Sequence, residues 1–248
     1  MGRTHEALER AEKEYQESLI GAFPISQKHI VTVLPRRASN QATLACYEDL
    51  KTNLLTRRLD KPIKTILFTG TSQGDGTSTT AINFAASLVK DTELRVLLVD
   101  ANLRTPCLHE VFGVDHTHGL SDLLTKAGDM ASRMKKIGAT NLYVMPCGGK
   151  HSNPVSLFES SEFDQFLHET HAWFDFVILD APPATSFSEA RVICRKMDGV
   201  VLVLGSGTTR RQVALKAKKE IEEAGGKVLG VVLNRRKFHI PTWIYERL

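Results

Sequence analysis

The sequence has no apolar run approaching the ~20 residues needed to cross a bilayer, and its N-terminus lacks the apolar core of a signal peptide. It begins Met-Gly, but Glu6 stands where a myristoylation motif requires Ser or Thr. The expectation is a cytoplasmic chain, peripheral at the inner face of the cell membrane only through a partner. Cysteine is sparse: Cys46, Cys107, Cys147 and Cys194 are scattered with no CxxC pair. That argues against a paired-thiol zinc or redox motif and fits reduced thiols. Excess charge is also small. A net +4 reflects a solvated exterior rather than a nucleic-acid-binding face. There is no internal repeat and no low-complexity segment.

What is present is ordinary globular material: 248 residues, 42% hydrophobic and 24% charged, enough for one α/β domain. Residues 3–19 carry Leu8, Ala11, Tyr15 and Leu19 at helical spacing. Residues 21–40, with Pro24 and Pro35, show no sustained period and read as a linker. This divides the chain into an N-terminal helical extension and linker, 1–40, and an α/β domain, 41–248. A helix is expected at 41–58 on the stripe Tyr47, Leu50 and Leu54. Beyond it, apolar runs at 65–69, 95–99, 142–146, 176–179, 199–204 and 228–233 alternate with helical patterns at 79–90, 162–172, 187–196 and 209–224. Unbroken Val/Ile/Leu runs mark strands buried on both faces, and the alternation predicts a mostly parallel sheet with helices on both sides. Ligands of such sheets bind at the C-terminal ends of the strands.

Three of those strand ends carry chemistry. The first is "TGTSQGDGTSTT", where Gly74 and Gly76 flank Asp75 ahead of Thr77, Ser78 and Thr79. Glycines at a strand-to-helix junction let main-chain amides curl around a phosphate, and the helix dipole assists. Ser78 falls where a P-loop hydroxyl holds Mg²⁺. The pattern GxxxxGK[ST] is broken at Thr71 and at Thr77, the position of the phosphate-gripping lysine. A glycine turn of this kind also serves as a plain connector. The second strand ends "LLVDANLRTP", with Asp100 placed to act near magnesium or accept a proton and Arg104 to face phosphate; an acid here also caps turns. The third ends "FDFVILDAPP" at Asp180, the Walker B form, whose carboxylate holds a magnesium-bound water. The three in this order point to nucleotide binding.

With these motifs the chain resembles the bacterial tyrosine kinases, P-loop proteins that work with membrane co-polymerases of capsule and exopolysaccharide assembly. "GLSDLL" at 119–124, "NPVSLFESSEFD" at 153–164 and "VLGVVLNRR" at 228–236 are also similar to family segments. The resemblance implies a P-loop NTPase-like fold, ATP or ADP with Mg²⁺, and tyrosine autophosphorylation. It also implies homo-oligomers and a partner in the cytosolic tail of a polysaccharide co-polymerase. By position, Gly74, Asp75, Gly76, Thr77, Ser78 and Thr79 would hold the phosphates, Ser78 and Asp180 the magnesium, and Asn234 would sit near the adenine. Asp100 would assist the attacking hydroxyl. The departures are Thr77 for lysine, no substitute lysine at Gln73, and Asn102 for a second acid. Ala45, Glu48 and Lys51 replace the charges of the oligomer helix, and the tail holds a single tyrosine, Tyr245. Loss of the lysine leaves a weak kinase and a non-catalytic adaptor open and argues against the remaining alternative, a partition-type ATPase.

Overall fold

The computed structural model describes residues 30–35, 40–56, 62–90, 92–126 and 128–236. The expected helix at 3–19, Tyr245 and Trp243 lie outside the described residues. The strands are β1 (Ile30–Pro35), β2 (Thr65–Gly70), β3 (Val96–Asp100), β4 (Lys135–Lys136), β5 (Leu142–Met145), β6 (Phe176–Asp180), β7 (Gly199–Gly205) and β8 (Val228–Arg236). They form one sheet in the order β1-β8-β7-β2-β6-β3-β5-β4. Every pairing is parallel except that of the short edge strand β4 with β5.

The helices are α1 (Asn40–Leu55), α2 (Thr77–Val89), α3 (Leu108–Phe112), α4 (Leu120–Thr125), α5 (Met130–Arg133), α6 (Pro154–Glu159), α7 (Ser161–Trp173), α8 (Glu189–Cys194) and α9 (Arg211–Glu223). Two apolar clusters show how they cover the sheet. One joins Leu97, Val99, Val177 and Leu179 to Phe158, Phe163, Ala190 and Ala214 of α6, α7, α8 and α9. The other joins Phe68, Leu98 and Ile178 to Leu50 of α1 and Phe84 of α2. Successive strand residues feed opposite clusters, which is the period of two that buries a strand on both faces. Among the described residues no helix is long and apolar enough to cross a membrane.

The expected strands and the longer helices stand within a few residues of their predicted limits. The linker reading of 21–40 is corrected at 30–35. There "IVTVLP" forms β1 and pairs in parallel with β8, from Ile30↔Gly230 to Val33↔Leu233. Its six residues are β-branched enough for a strand, but too few between prolines to show a period. Pro35 falls at the end of an edge strand, where a missing N–H is tolerated. Strand β8 also runs on through Asn234, Arg235 and Arg236, beyond the apolar run that ended at 233.

Candidate functional site: a strand-edge phosphate loop

All the strand ends that matter lie at one edge of the sheet, because the parallel register sets Gly70 beside Val203, Asp100 beside Asp180 and Gly205 beside Asn234. From Gly70 the chain turns through 71–76 into α2. Gly74 and Gly76 hold φ of 90° and 88°, the left-handed region that glycine enters without a steric penalty. A Cβ on Gly76 would also collide with the side-chain amide of Asn234. No side chain caps α2. Its first amides therefore remain available to an anion, with the helix dipole behind them.

Asp75 holds this turn together. One carboxylate oxygen accepts from the Thr71 amide at 2.9 Å, the Thr71 hydroxyl at 2.8 Å and the Ser72 amide at 2.8 Å. Thr209, in the turn after β7, lies 3.3 Å from the Thr71 hydroxyl and donates to the other Asp75 oxygen at 3.5 Å. The side chain is thus turned into the loop and only 4% of Asp75 is exposed, so its main chain is what it can offer a phosphate. Asn234 Nδ2 donates to the Asp75 carbonyl at 2.8 Å, tying β8 to the loop. The segment after β6 adds a third tie, from Ala184 N to Gly70 O at 3.0 Å and from the Thr185 hydroxyl to Thr71 O. The Thr77 hydroxyl faces the base of the loop, 2.7 Å from where a Cβ on Gly70 would sit.

Asp100 and Asp180 end neighbouring strands in register. Counting by twos from Leu98 and Ile178 puts both carboxylates on the α2 side of the sheet, toward Ser78. Both are fully buried. Asp100 accepts from the amides of Asn102 at 3.2 Å and of Cys107 and Leu108 at 3.0 Å each. Burial pushes its pKa up to about 6, and those three amides hold the rise back. Asp180 differs: neither of its oxygens has a hydrogen bond of normal geometry among the described residues. Burial first, and the neighbouring Asp100 second, raise it to about 8, while the nearby Ser78 hydroxyl only partly offsets them. A buried carboxylate without a partner is costly, and a cation seated between Asp180 and Ser78 would remove that cost.

Arg104 donates from Nε to Glu189 Oε1 at 2.7 Å and stacks over Phe187 at 5.3 Å. Nothing in the sequence marked Glu189, which lies 85 positions away at the start of α8. A pocket over the loop is lined by Gly74, Gly76, Thr77, Ser78 and Thr79, with Asn102, Thr105 and Arg235 among the residues around them. Of the site residues read from the sequence, Gly74, Gly76, Thr77, Ser78 and Thr79 line the pocket, and Asp100 and Asp180 lie buried on the Ser78 side of the sheet. The Asp75 side chain, by contrast, faces inward, the Asn234 amide is bound to the main chain of the loop and Arg104 is held by Glu189. The sequence did not reveal Thr209 as a clamp. Its one signal was its place just past the end of β7.

An amide-lined glycine loop between a central parallel strand and a helix, with two carboxylates at the next strand ends, is the arrangement of a P-loop nucleotide-binding protein. The family model described as "ParA: NUBPL iron-transfer P-loop NTPase" matches residues 63–244. Tyrosine-protein kinase YwqD of Bacillus subtilis is 31% identical over 211 residues, 85% of this chain and 87% of the relative. Tyrosine-protein kinase CpsD of Streptococcus agalactiae is 30% identical over 74% of this chain and 80% of the relative. The crystal structure of the chimerical protein CapA2B2 superposes with a TM-score of 0.81 at 26% identity, covering 92% of this chain and all of that one. The chain belongs to the ParA-type P-loop NTPases and, among them, to the bacterial tyrosine-protein kinase family.

Proposed function

We propose that the protein binds ATP or ADP with Mg²⁺ at this loop, and through it regulates exopolysaccharide polymerisation or export together with a membrane co-polymerase. The observation that carries the reading is Asp180, a fully buried carboxylate with no hydrogen bond of normal geometry among the described residues, beside Ser78 at an uncapped helix start. The loop amides from Gly74 to Thr79 hold the phosphates, and Ser78 and Asp180 hold the metal. When bound, Mg²⁺ neutralises charge on the terminal phosphates. Asp100, with its proton affinity raised, takes the proton of an attacking tyrosine hydroxyl. Arg104, anchored through Nε by Glu189, keeps its other guanidinium nitrogens for an anionic group.

Thr77 sets the rate. A unit charge pair at 4 Å in a medium of effective dielectric 20 is worth about 4 kcal/mol. If about 3 kcal/mol of that is realised only in the transition state, the rate falls roughly a hundredfold. Amides and metal do not depend on the lysine, so binding outlasts chemistry. The protein is a weak autokinase whose nucleotide state is read by its partner.

The test is to incubate the purified protein with labelled ATP and Mg²⁺, with and without the co-polymerase's cytosolic tail, and assay phosphotyrosine. The expected result is slow labelling that Asp100→Asn abolishes. Nucleotide binding without label in either condition identifies a degenerate, regulatory relative of the kinases, the second reading, which Thr77 favours; an adaptor would bind no nucleotide. No nucleotide binding at all contradicts the proposal.

A further inference from the structure

Resting on that nucleotide reading, we propose that Arg235 supplies from the end of β8, in the same chain, the positive charge that the loop lacks at Thr77. Its guanidinium stands over the two glycines whose amides would face the phosphates. Nη1 lies 4.0 Å from the Cβ position of Gly74 and Nε lies 3.9 Å from that of Gly76. Arg235 also walls the pocket above the loop. Arg210 and Arg211, at the start of α9, and Arg104, past the end of β3, do not line it.

The backbone is built to hold this position. Arg235 has φ 62° and is the one non-glycine residue with positive φ among the described residues. A side-chain-bearing residue rarely takes that conformation, and such outliers persist where the surroundings impose them. Here the Arg235 amide donates to Asn234 Oδ1 at 2.8 Å while Asn234 Nδ2 donates to the Asp75 carbonyl at 2.8 Å. The bend at the strand end is thereby stapled to the phosphate loop. No carboxylate among the described residues forms an ion pair with Arg235, which leaves the guanidinium free to pair with a phosphate. A guanidinium can engage a phosphate through two parallel N–H groups, so it replaces a lysine in charge and adds geometric specificity. The positive charge has moved from the helix start to the neighbouring strand end, and Thr77 is tolerated because of it.

Calorimetric titration of wild type, Arg235→Ala and Arg235→Gln with MgATP, MgADP and AMP tests this. The expected result is affinity for MgATP and MgADP at least about tenfold weaker in both variants, AMP little changed, and unfolding temperatures without nucleotide close to wild type. Thr77→Lys added to Arg235→Ala should restore MgADP binding, which a purely structural role for Arg235 would not produce. Equal MgADP affinity in wild type and both variants overturns the inference and leaves the nucleotide reading standing. An equal loss for AMP without rescue by Thr77→Lys also overturns it. A wild type that binds none of the three nucleotides overturns both.

Discussion

Asp180 carries the largest electrostatic penalty described at the site, and its consequence is a pH dependence of definite sign. Its pKa is about 8 in the folded protein against an ordinary carboxylate value of 3.8. Between those values the native state holds a proton that the unfolded chain has lost. The contribution to stability is therefore full at low pH and declines as pH rises from about 4 to about 8, by up to about 1.4 kcal/mol per pH unit. In nucleotide-free protein Asp180→Asn removes that slope, so thermal unfolding followed from pH 5 to 8.5 should show the variant gaining on wild type as pH increases. The same variant should lose the stabilisation that MgADP gives wild type, because the amide cannot neutralise the metal. Asp75 has a structural role instead. It is buried but fully used, with three donors on one oxygen. Asp75→Ala strands those donors, and denaturant unfolding should show a loss of about 1–3 kcal/mol.

Among the elements, the pair β1 and β8 decides how well the site is held. β8 carries Asn234 and Arg235 to the loop, and among the described residues β1 is the only strand on its outer side. Excising residues 1–36 would expose the backbone of a nine-residue strand, "VLGVVLNRR", as an open edge, the configuration that promotes strand-to-strand association. Sedimentation velocity should show self-association of the excised protein at concentrations where the full chain does not change state, together with weaker MgADP binding. The elements were unequally legible. The inner strands were visible because burial on both faces leaves an unbroken apolar run, and their last residues, Asp100 and Asp180, were visible because acids interrupt such runs. β1 was not, since an edge strand of six residues has too little length to display a period. The short helices α3, α4, α5 and α6 showed too brief a pattern to recognise, whereas the pattern at 187–196 ran past both ends of α8. In the site, Ser78, Asp100 and Asp180 were legible from position alone. The role of Asp75 was not, because its far partner Thr209 is 134 positions away, and Arg235 stood out only once the strand end was seen to bend.

Across the molecule, one architectural fact organises the chemistry: parallel strands deliver every relevant terminus to the same edge, and α2 starts there. The phosphate loop is tied from three sides, by the turn after β7 through Thr209, by the segment after β6 through Ala184 and Thr185, and by β8 through Asn234. A loop so held is preorganised, and little ordering cost remains when an anion arrives. Near the C-terminal end of α2, Lys51 of α1 pairs with Glu48 and donates to the Ser87 carbonyl at 3.1 Å, so its charge is engaged within the chain. The decisive measurement is a crystal structure of the protein grown with ADP and Mg²⁺. The expected result is the diphosphate against the amides of residues 74–79 and the metal between the Ser78 hydroxyl and the Asp180 carboxylate. A nucleotide bound elsewhere, or a metal with neither Ser78 nor Asp180 in its surroundings, would contradict it.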